Sequence, residues 1–401
     1  MPMSRVTVLV ATFVALALLP AAGARADTLS ATQKLLTREM GRAGASSGAY
    51  VIDMNSGQQL FASQPDVGRN PASVEKLYTS ATALLLYGAD GHLTTDVLSA
   101  AAPSHGAVAG NLVLRGAGDP TFDSGDVSRL AGRVVKAGVK RIGGGVVGDD
   151  SLFDAFRGPP SSAFRVSIDV GPLSALAYQH GVSNRRFQTS PAQSAAAALE
   201  SALRRRGVRV TGTARAGSAQ SGATTTLASW DSPTIASILR SMNQPSDNFY
   251  AETLIKAIGA DYGDAGSTAA GAAVVKRTVA RFDVAPKVAD GSGLSRADVT
   301  TPRQVVQLLT GMAGTESASA FRDSLPVAGR SGTLARRMRG TSASGACQAK
   351  TGTLSDVSSL AGYCETPGGR RIAFAFLMSH VSVSGAHVLQ DAMTAALARL
   401  D

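Results

Sequence analysis

Apolar side chains recur through residues 74–85 at the spacing of one helix face. Val74, Leu77, Tyr78, Ala81, Leu84 and Leu85 form the stripe, with Pro71 before it and Gly88 after it, so a helix is expected to open near Ser73 and to stop at Gly88. Ser73 and Lys76 fall one turn apart and share a face. An earlier helix is expected over 28–43, and strands over 49–53 and 58–62 flank Asn55-Ser56-Gly57, a hairpin signal. Beyond Gly88 the patterns mix, with strands over 93–100, 110–115 and 140–148, helices over 126–138 and 191–206, and two strands within 207–230. From about residue 233 the helical period returns, near 233–242, 248–260, 267–282, 301–313 and 316–324. Three strands follow, 346–353, 358–366 and 370–379, then a helix over 385–399. Strands at both ends of the chain around a helical block imply that the two ends share one sheet.

The late hairpin can be placed in register. A first turn over Leu354 to Val357 puts Cys347 opposite Cys364 and Lys350 opposite Ala361. Directly opposed residues lie within disulfide reach. These are the only two cysteines. A bridge would staple the strand that carries Lys350, and two reduced, packed thiols are the alternative.

Residues 6–22 are almost wholly apolar, Arg5 precedes them, and Ala24-Arg25-Ala26 has the small-x-small form of a cleavage site. A secretory leader is therefore expected over 1–26, with the mature chain outside the cytoplasm, in the periplasm or the extracellular wall space. A retained anchor is the alternative, although the run is short for a span. Removing the leader takes Arg5 and Arg25 and no acid, so the net charge falls from +10 to +8. That sign would steer an exported protein toward anionic wall polymers or lipid headgroups, as a peripheral association. Nucleic acid is disfavoured, because no basic patch is interleaved with aromatics. The five histidines, His92, His105, His180, His380 and His387, form no metal-binding spacing, and no metal or other cofactor is expected. Gly116-Ala117-Gly118-Asp119-Pro120 follows a strand but lacks the phosphate-loop lysine and reads as a turn.

Three short patterns carry candidate chemistry. Ser73-Val74-Glu75-Lys76 opens the first long stripe, Ser246-Asp247-Asn248 lies in a turn after Pro245, and Lys350-Thr351-Gly352-Thr353 lies on a strand. Ser-x-x-Lys alone is expected about once by chance, and Ser73 could simply cap its helix. Together, in this order, the three describe an acyl-transfer site. Ser73 would be the nucleophile and Lys76 its base, with a pKa lowered by burial and by a second cation, Lys350. Ser246 would relay a proton to the leaving amine. The backbone N–H groups of Ser73 and Thr353 would form the oxyanion hole. Lys350, with Thr351, Gly352 and Thr353 of its strand, would hold a substrate carboxylate, and Asn248 would bond the acyl-side amide. Ser241-Met242-Asn243 and Arg330-Ser331-Gly332-Thr333 imitate the second and third patterns, but one lies in an expected helix and the other lacks strand alternation.

The trio is that of penicillin-binding proteins and class A β-lactamases. The chain resembles the low-molecular-mass class C penicillin-binding proteins, the D-alanyl-D-alanine carboxypeptidase/endopeptidase family. Further matching stretches are Asn111-Leu112-Val113-Leu114-Arg115-Gly116, Gly148-Asp149-Asp150-Ser151, Asp290-Gly291-Ser292-Gly293-Leu294-Ser295-Arg296 and Leu325-Pro326-Val327-Ala328-Gly329. The 173 positions from Ser73 to Ser246 fit a module inserted after the first motif. The resemblance implies an α+β fold: a serine β-lactamase/DD-peptidase-like domain, with a five-stranded antiparallel sheet flanked by helices, formed by residues 27–90 and 233–401. An inserted α/β module would span 91–232. It further implies peptidoglycan stem peptides as substrates and β-lactams as covalent inhibitors. A class A β-lactamase would need a glutamate for deacylation, and Glu252 and Glu316, the only two between Ser246 and Lys350, lack the Glu-x-x-x-Asn setting. A non-catalytic wall-binding or penicillin-sensing module is the other alternative.

Overall fold

A computed structural model describes residues 22–218 and 223–400. Residues 1–21 of the expected leader lie outside it. Both chain ends feed one five-stranded antiparallel sheet, in the order Cys347–Leu354, Val357–Glu365, Arg371–Ser379, Gly48–Asp53, Gln59–Ser63. Strand Arg371–Ser379 shows why the sequence there reads as an unbroken apolar run: both faces of the sheet are covered. Ala373, Ala375 and Leu377 pack under the helical block with Leu77, Tyr78, Leu254 and Leu309. Ile372, Phe374, Phe376 and Met378 pack with Leu36 of helix Ala22–Ala43 and Leu389 of helix Val383–Leu397. Among the described residues no helix is long and apolar enough to cross a membrane.

The late hairpin has the expected register, with Cys347 opposite Cys364 and Lys350 opposite Ala361. The two cysteines are joined in a disulfide. Closing a loop of this size restricts the unfolded chain by about 3 kcal/mol. The double variant Cys347→Ser, Cys364→Ser is therefore expected to unfold at lower urea concentration by about that free energy. An unchanged midpoint would show that packing alone fixes the Lys350 strand.

The chain leaves the helical block near Leu93 and returns at Ser232, where Ser232 N–H donates to Leu93 O at 3.0 Å and Ile235 N–H to Gly91 O at 2.8 Å. Between these points the outgoing strand Thr94–Ser99 pairs with the incoming strand Thr225–Asp231. Helices Ser124–Lys136 and Pro191–Arg205 bury Val127, Leu130, Val134, Ala195 and Leu199 in a core of their own. The single strand expected over 140–148 is two short strands, Arg141–Ile142 and Val146–Asp149, in different sheets. Gly143-Gly144-Gly145 makes the step between them, passing so near neighbouring backbone that a Cβ at Gly143 would lie 2.4 Å from Ala109 O.

Candidate active site

The Ser73 stretch is a 3-10 turn, Ala72–Glu75, running into the α-helix Lys76–Tyr87, rather than one α-helix. The tight entry is imposed from outside. Ala72 has a left-handed φ of 46°, a conformation that costs an L-residue about 1–2 kcal/mol. Asn70 holds it there: its Oδ1 accepts from Ala72 N–H at 2.9 Å, and its Nδ2 donates to Ser295 O at 2.9 Å and Asp298 O at 3.1 Å. The loop Asp290–Asp298 presses against the turn so closely that a Cβ on Gly293 would lie 1.9 Å from Ala72 O. From the other side a Cβ on Gly352 would lie 2.5 Å from Pro71 O and 3.0 Å from Ser73 N. Only glycine fits at either place, and the contact sets Thr353 beside the Ser73 end of the turn.

Ser73 makes no capping bond. Its Oγ instead accepts from Lys76 Nζ at 2.9 Å. Lys76 Nζ also donates to Asn248 Oδ1 at 2.7 Å and Ser292 O at 2.8 Å. Lys350 Nζ donates to Ser246 Oγ at 2.8 Å and to Thr351 O at 2.9 Å. The structure thus brings all three motifs to one place. Ser73, Ser246 and Asn248 are half-buried, both lysines are buried, and Thr353 is exposed on the edge strand.

Burial lowers the Lys76 pKa to about 8, and the neighbouring acids, Asp290 first and then Glu252, Asp247 and Glu75, keep it from falling further. Lys350 is held well below its ordinary range, first by burial and then by the Lys76 cation. The expected order of influence is reversed. Lys76 carries the charge and depresses Lys350, because the acids gather behind Lys76.

Asn248, the residue expected to bond an acyl-side amide, donates from Nδ2 to Asp169 O at 3.1 Å. The same loop-rich stretch supplies His180, whose Nε2 lies 3.5 Å from Asp247 Oδ2 and whose ring packs on Phe249 and Tyr250. Burial alone would raise the Asp247 carboxyl, but His180 and the Tyr250 N–H bring it below its ordinary value. This brace fixes the Ser246 turn, where Ser246 itself has a φ of 64°. Residues 150–190 carry no helical or strand period, so neither Asp169 nor His180 stands out in the sequence. Thr333, from the imitation of the third motif, reaches the site's rim, with its Oγ1 2.8 Å from Thr351 Oγ1. Ser241 and Asn243 lie in helix Ile235–Asn243, where Asn243 bonds Ser80 and Ser324.

Comparison with known proteins matches residues 31–165 and 170–400 to the D-Ala-D-Ala carboxypeptidase 3 (S13) family. A D-alanyl-D-alanine carboxypeptidase of Actinomadura sp. (strain R39) is 31% identical over 95% of this chain and 86% of its own length. Among solved structures, penicillin binding protein 4 (dacB) from Haemophilus influenzae superimposes with a TM-score of 0.78 at 21% identity, covering 91% of this chain and 99% of that one. The same protein complexed with a β-lactam gives a TM-score of 0.70 at 23% identity, covering 91% of this chain and 98% of that one.

Proposed function

The chain belongs to the D-Ala-D-Ala carboxypeptidase 3 (S13) family of low-molecular-mass class C penicillin-binding proteins and is a serine-type D-alanyl-D-alanine carboxypeptidase; from that premise we propose that Ser73 is its nucleophile and Lys76 its base. The observation that carries the assignment is the bond between Lys76 Nζ and Ser73 Oγ beside a second lysine bonded to Ser246. Ser73 Oγ attacks the carbonyl carbon of the penultimate D-alanine and gives its proton to neutral Lys76. The Ser73 and Thr353 N–H groups receive the oxyanion. As the C–N bond breaks, Ser246 protonates the leaving amine and is reprotonated by the Lys350 ammonium. Water then attacks the acyl-enzyme, returning a proton through Ser246 to Lys350, while the Lys76 ammonium returns one to Ser73 Oγ. Asn248 Nδ2 exchanges Asp169 O for the acyl-side amide carbonyl.

The substrate's terminal carboxylate does more than anchor. Set beside Lys350, Thr351 and Thr353, it favours an ammonium on Lys350. A cation there repels the one on Lys76 and leaves Lys76 neutral, as a base must be. kcat/KM reports free enzyme and should climb with pH up to about 8, following Lys76. The kcat profile reports the complex and should level off at lower pH. Superimposed kcat and kcat/KM profiles would contradict this role for the carboxylate.

β-Lactams, which also present a carboxylate, acylate Ser73. Glu252 is fully buried and its Oε1 accepts two backbone N–H groups. It therefore has no access to a deacylating water, and the penicilloyl-enzyme should be long-lived. The same proposal includes export across the membrane, a peripheral wall or membrane association, and the division into residues 27–90 with 233–401 and an insertion at 91–232. Incubation with a pentapeptide stem and with a cross-linked dimer, resolved by mass, tests carboxypeptidase against endopeptidase action. Cleavage of neither would overturn the substrate assignment.

A further inference from the structure

Beneath Lys76 lie four carboxyl groups, those of Glu75, Glu252, Asp290 and Asp298, and all four side chains are fully buried. They come from the nucleophile turn, the helix Asn248–Tyr262 and the loop Asp290–Asp298. Asp290 is taken up by the N–H groups of Ser292, Gly293 and Ser295, and Asp298 Oδ1 by those of Ala289 and Asp290. Both oxygens of Glu75, Oε2 of Glu252 and Oδ2 of Asp298 have no donor. Four carboxylates cannot all be ionised in so dry a place. Among the described residues no three acids converge as a metal ion would need. Protons, beside the single Lys76 ammonium, are therefore the counter-charge.

Glu252 occupies a special position in this group. Its Oε1 accepts from Ser292 N–H at 2.9 Å and Gly291 N–H at 3.2 Å. The Ser292 carbonyl accepts from Lys76 Nζ. The carboxyl thus grips the peptide stretch that grips the base.

We propose that Glu252 is the positioning residue for Lys76: it fixes the Ser292 carbonyl against the ammonium, and its carboxyl, one peptide away from the base, governs when Lys76 becomes a base. Glu75 is raised well above the carboxylate range by burial and then by Asp290, and Asp298 is raised to about 11 by burial and then by Glu75 and Asp290, so both stay protonated across the working range. Glu252 is raised only to about 8, chiefly by burial and Asp290. It ionises over the range in which Lys76 titrates. The titratable groups facing the pair are Glu75, Asp290 and Asp298, Asp247 at the start of the Glu252 helix, Lys256 one turn further along it, and Lys350 across the cleft.

The inference rests on Lys76 being the base. Glu252→Gln keeps an acceptor for the Gly291 and Ser292 N–H groups but removes the charge. In the full chain, the acid limb of the penicillin acylation rate should move to lower pH by about one unit. Glu252→Ala removes the acceptor as well and should lower the limiting rate more than tenfold. A Glu252→Gln profile that superimposes on wild type overturns the proposal. If Lys76→Met acylates normally, the reading beneath it fails instead. Infrared difference spectra of the wild type between pH 6 and pH 9 serve if the variants do not fold. A decrease of the protonated-carboxyl absorption between pH 6 and pH 9, seen as a negative band in the difference spectrum beside the constant contribution of Glu75 and Asp298, supports the proposal, and a difference spectrum without that band overturns it.

Discussion

Ser73→Ala is expected to lose peptide hydrolysis by a factor on the order of 10⁴ or more, with no trace of covalent penicillin adduct. The magnitude follows from what the remaining groups can do without the hydroxyl. The oxyanion N–H groups, the carboxylate site and Lys76 all stay in place, but no protein atom is left to form the acyl bond. The fold should be almost unaffected. Ser73 caps nothing, and its Oγ serves only as one of three acceptors for Lys76. Loss of one such bond costs about 1 kcal/mol. Ligand binding without acylation, followed by fluorescence or calorimetry, should therefore survive. A variant that still released D-alanine at a tenth of the normal rate would mean that another residue carries the reaction.

Lys76→Met should lower acylation by a factor on the order of 10²–10⁴, the usual range for a positioned general base. Methionine follows the lysine stem into the same buried channel, so shape is kept while the amine is lost. Asn248 Oδ1 and Ser292 O are left without their donor, at about 1–3 kcal/mol for the buried Ser292 carbonyl. The carboxyls behind them lose their counter-ion and take up protons. The slow residual acylation should also lose its acid limb near pH 8, because the group that titrates there is gone. Burst amplitude and pH profile of penicillin acylation measure both effects. A full-rate variant with an unchanged profile would remove Lys76 from the mechanism.

Much of the architecture was legible because it is written in periodicity. The late hairpin's register followed from one turn assignment, and it placed Cys347, Cys364 and Lys350 where the structure has them. Strands at both chain ends implied a shared sheet, and the two ends do build one. Three motifs, the first two 173 positions apart, were recognisable as parts of one site, because each combines a reactive side chain with a local setting, a helix entry, a turn or a strand.

What escaped has no period to betray it. The left-handed Ala72 looks like any alanine, and its strain comes from Asn70 and from a loop more than 200 residues away. Residues 150–190 are held by turns and side-chain contacts, so the Asp169 carbonyl on Asn248 and the His180 brace on Asp247 appear only in three dimensions. The carboxyl group behind Lys76 was the largest omission. Burial is the largest influence on Lys76 in either picture, but the motifs place a cation next to the base whereas the folded chain puts acids there, so the neighbouring charge acts with the opposite sign. Glu252 was weighed only as a deacylation base, a role its burial rules out.

The central claim is that the acyl bond forms on Ser73. Digestion of the penicillin-treated protein followed by peptide mass mapping tests it directly. The adduct is predicted on the peptide carrying Pro71-Ala72-Ser73-Val74-Glu75-Lys76, with fragment ions that put the added mass on Ser73. An adduct on Ser246 or on any other serine would contradict the account.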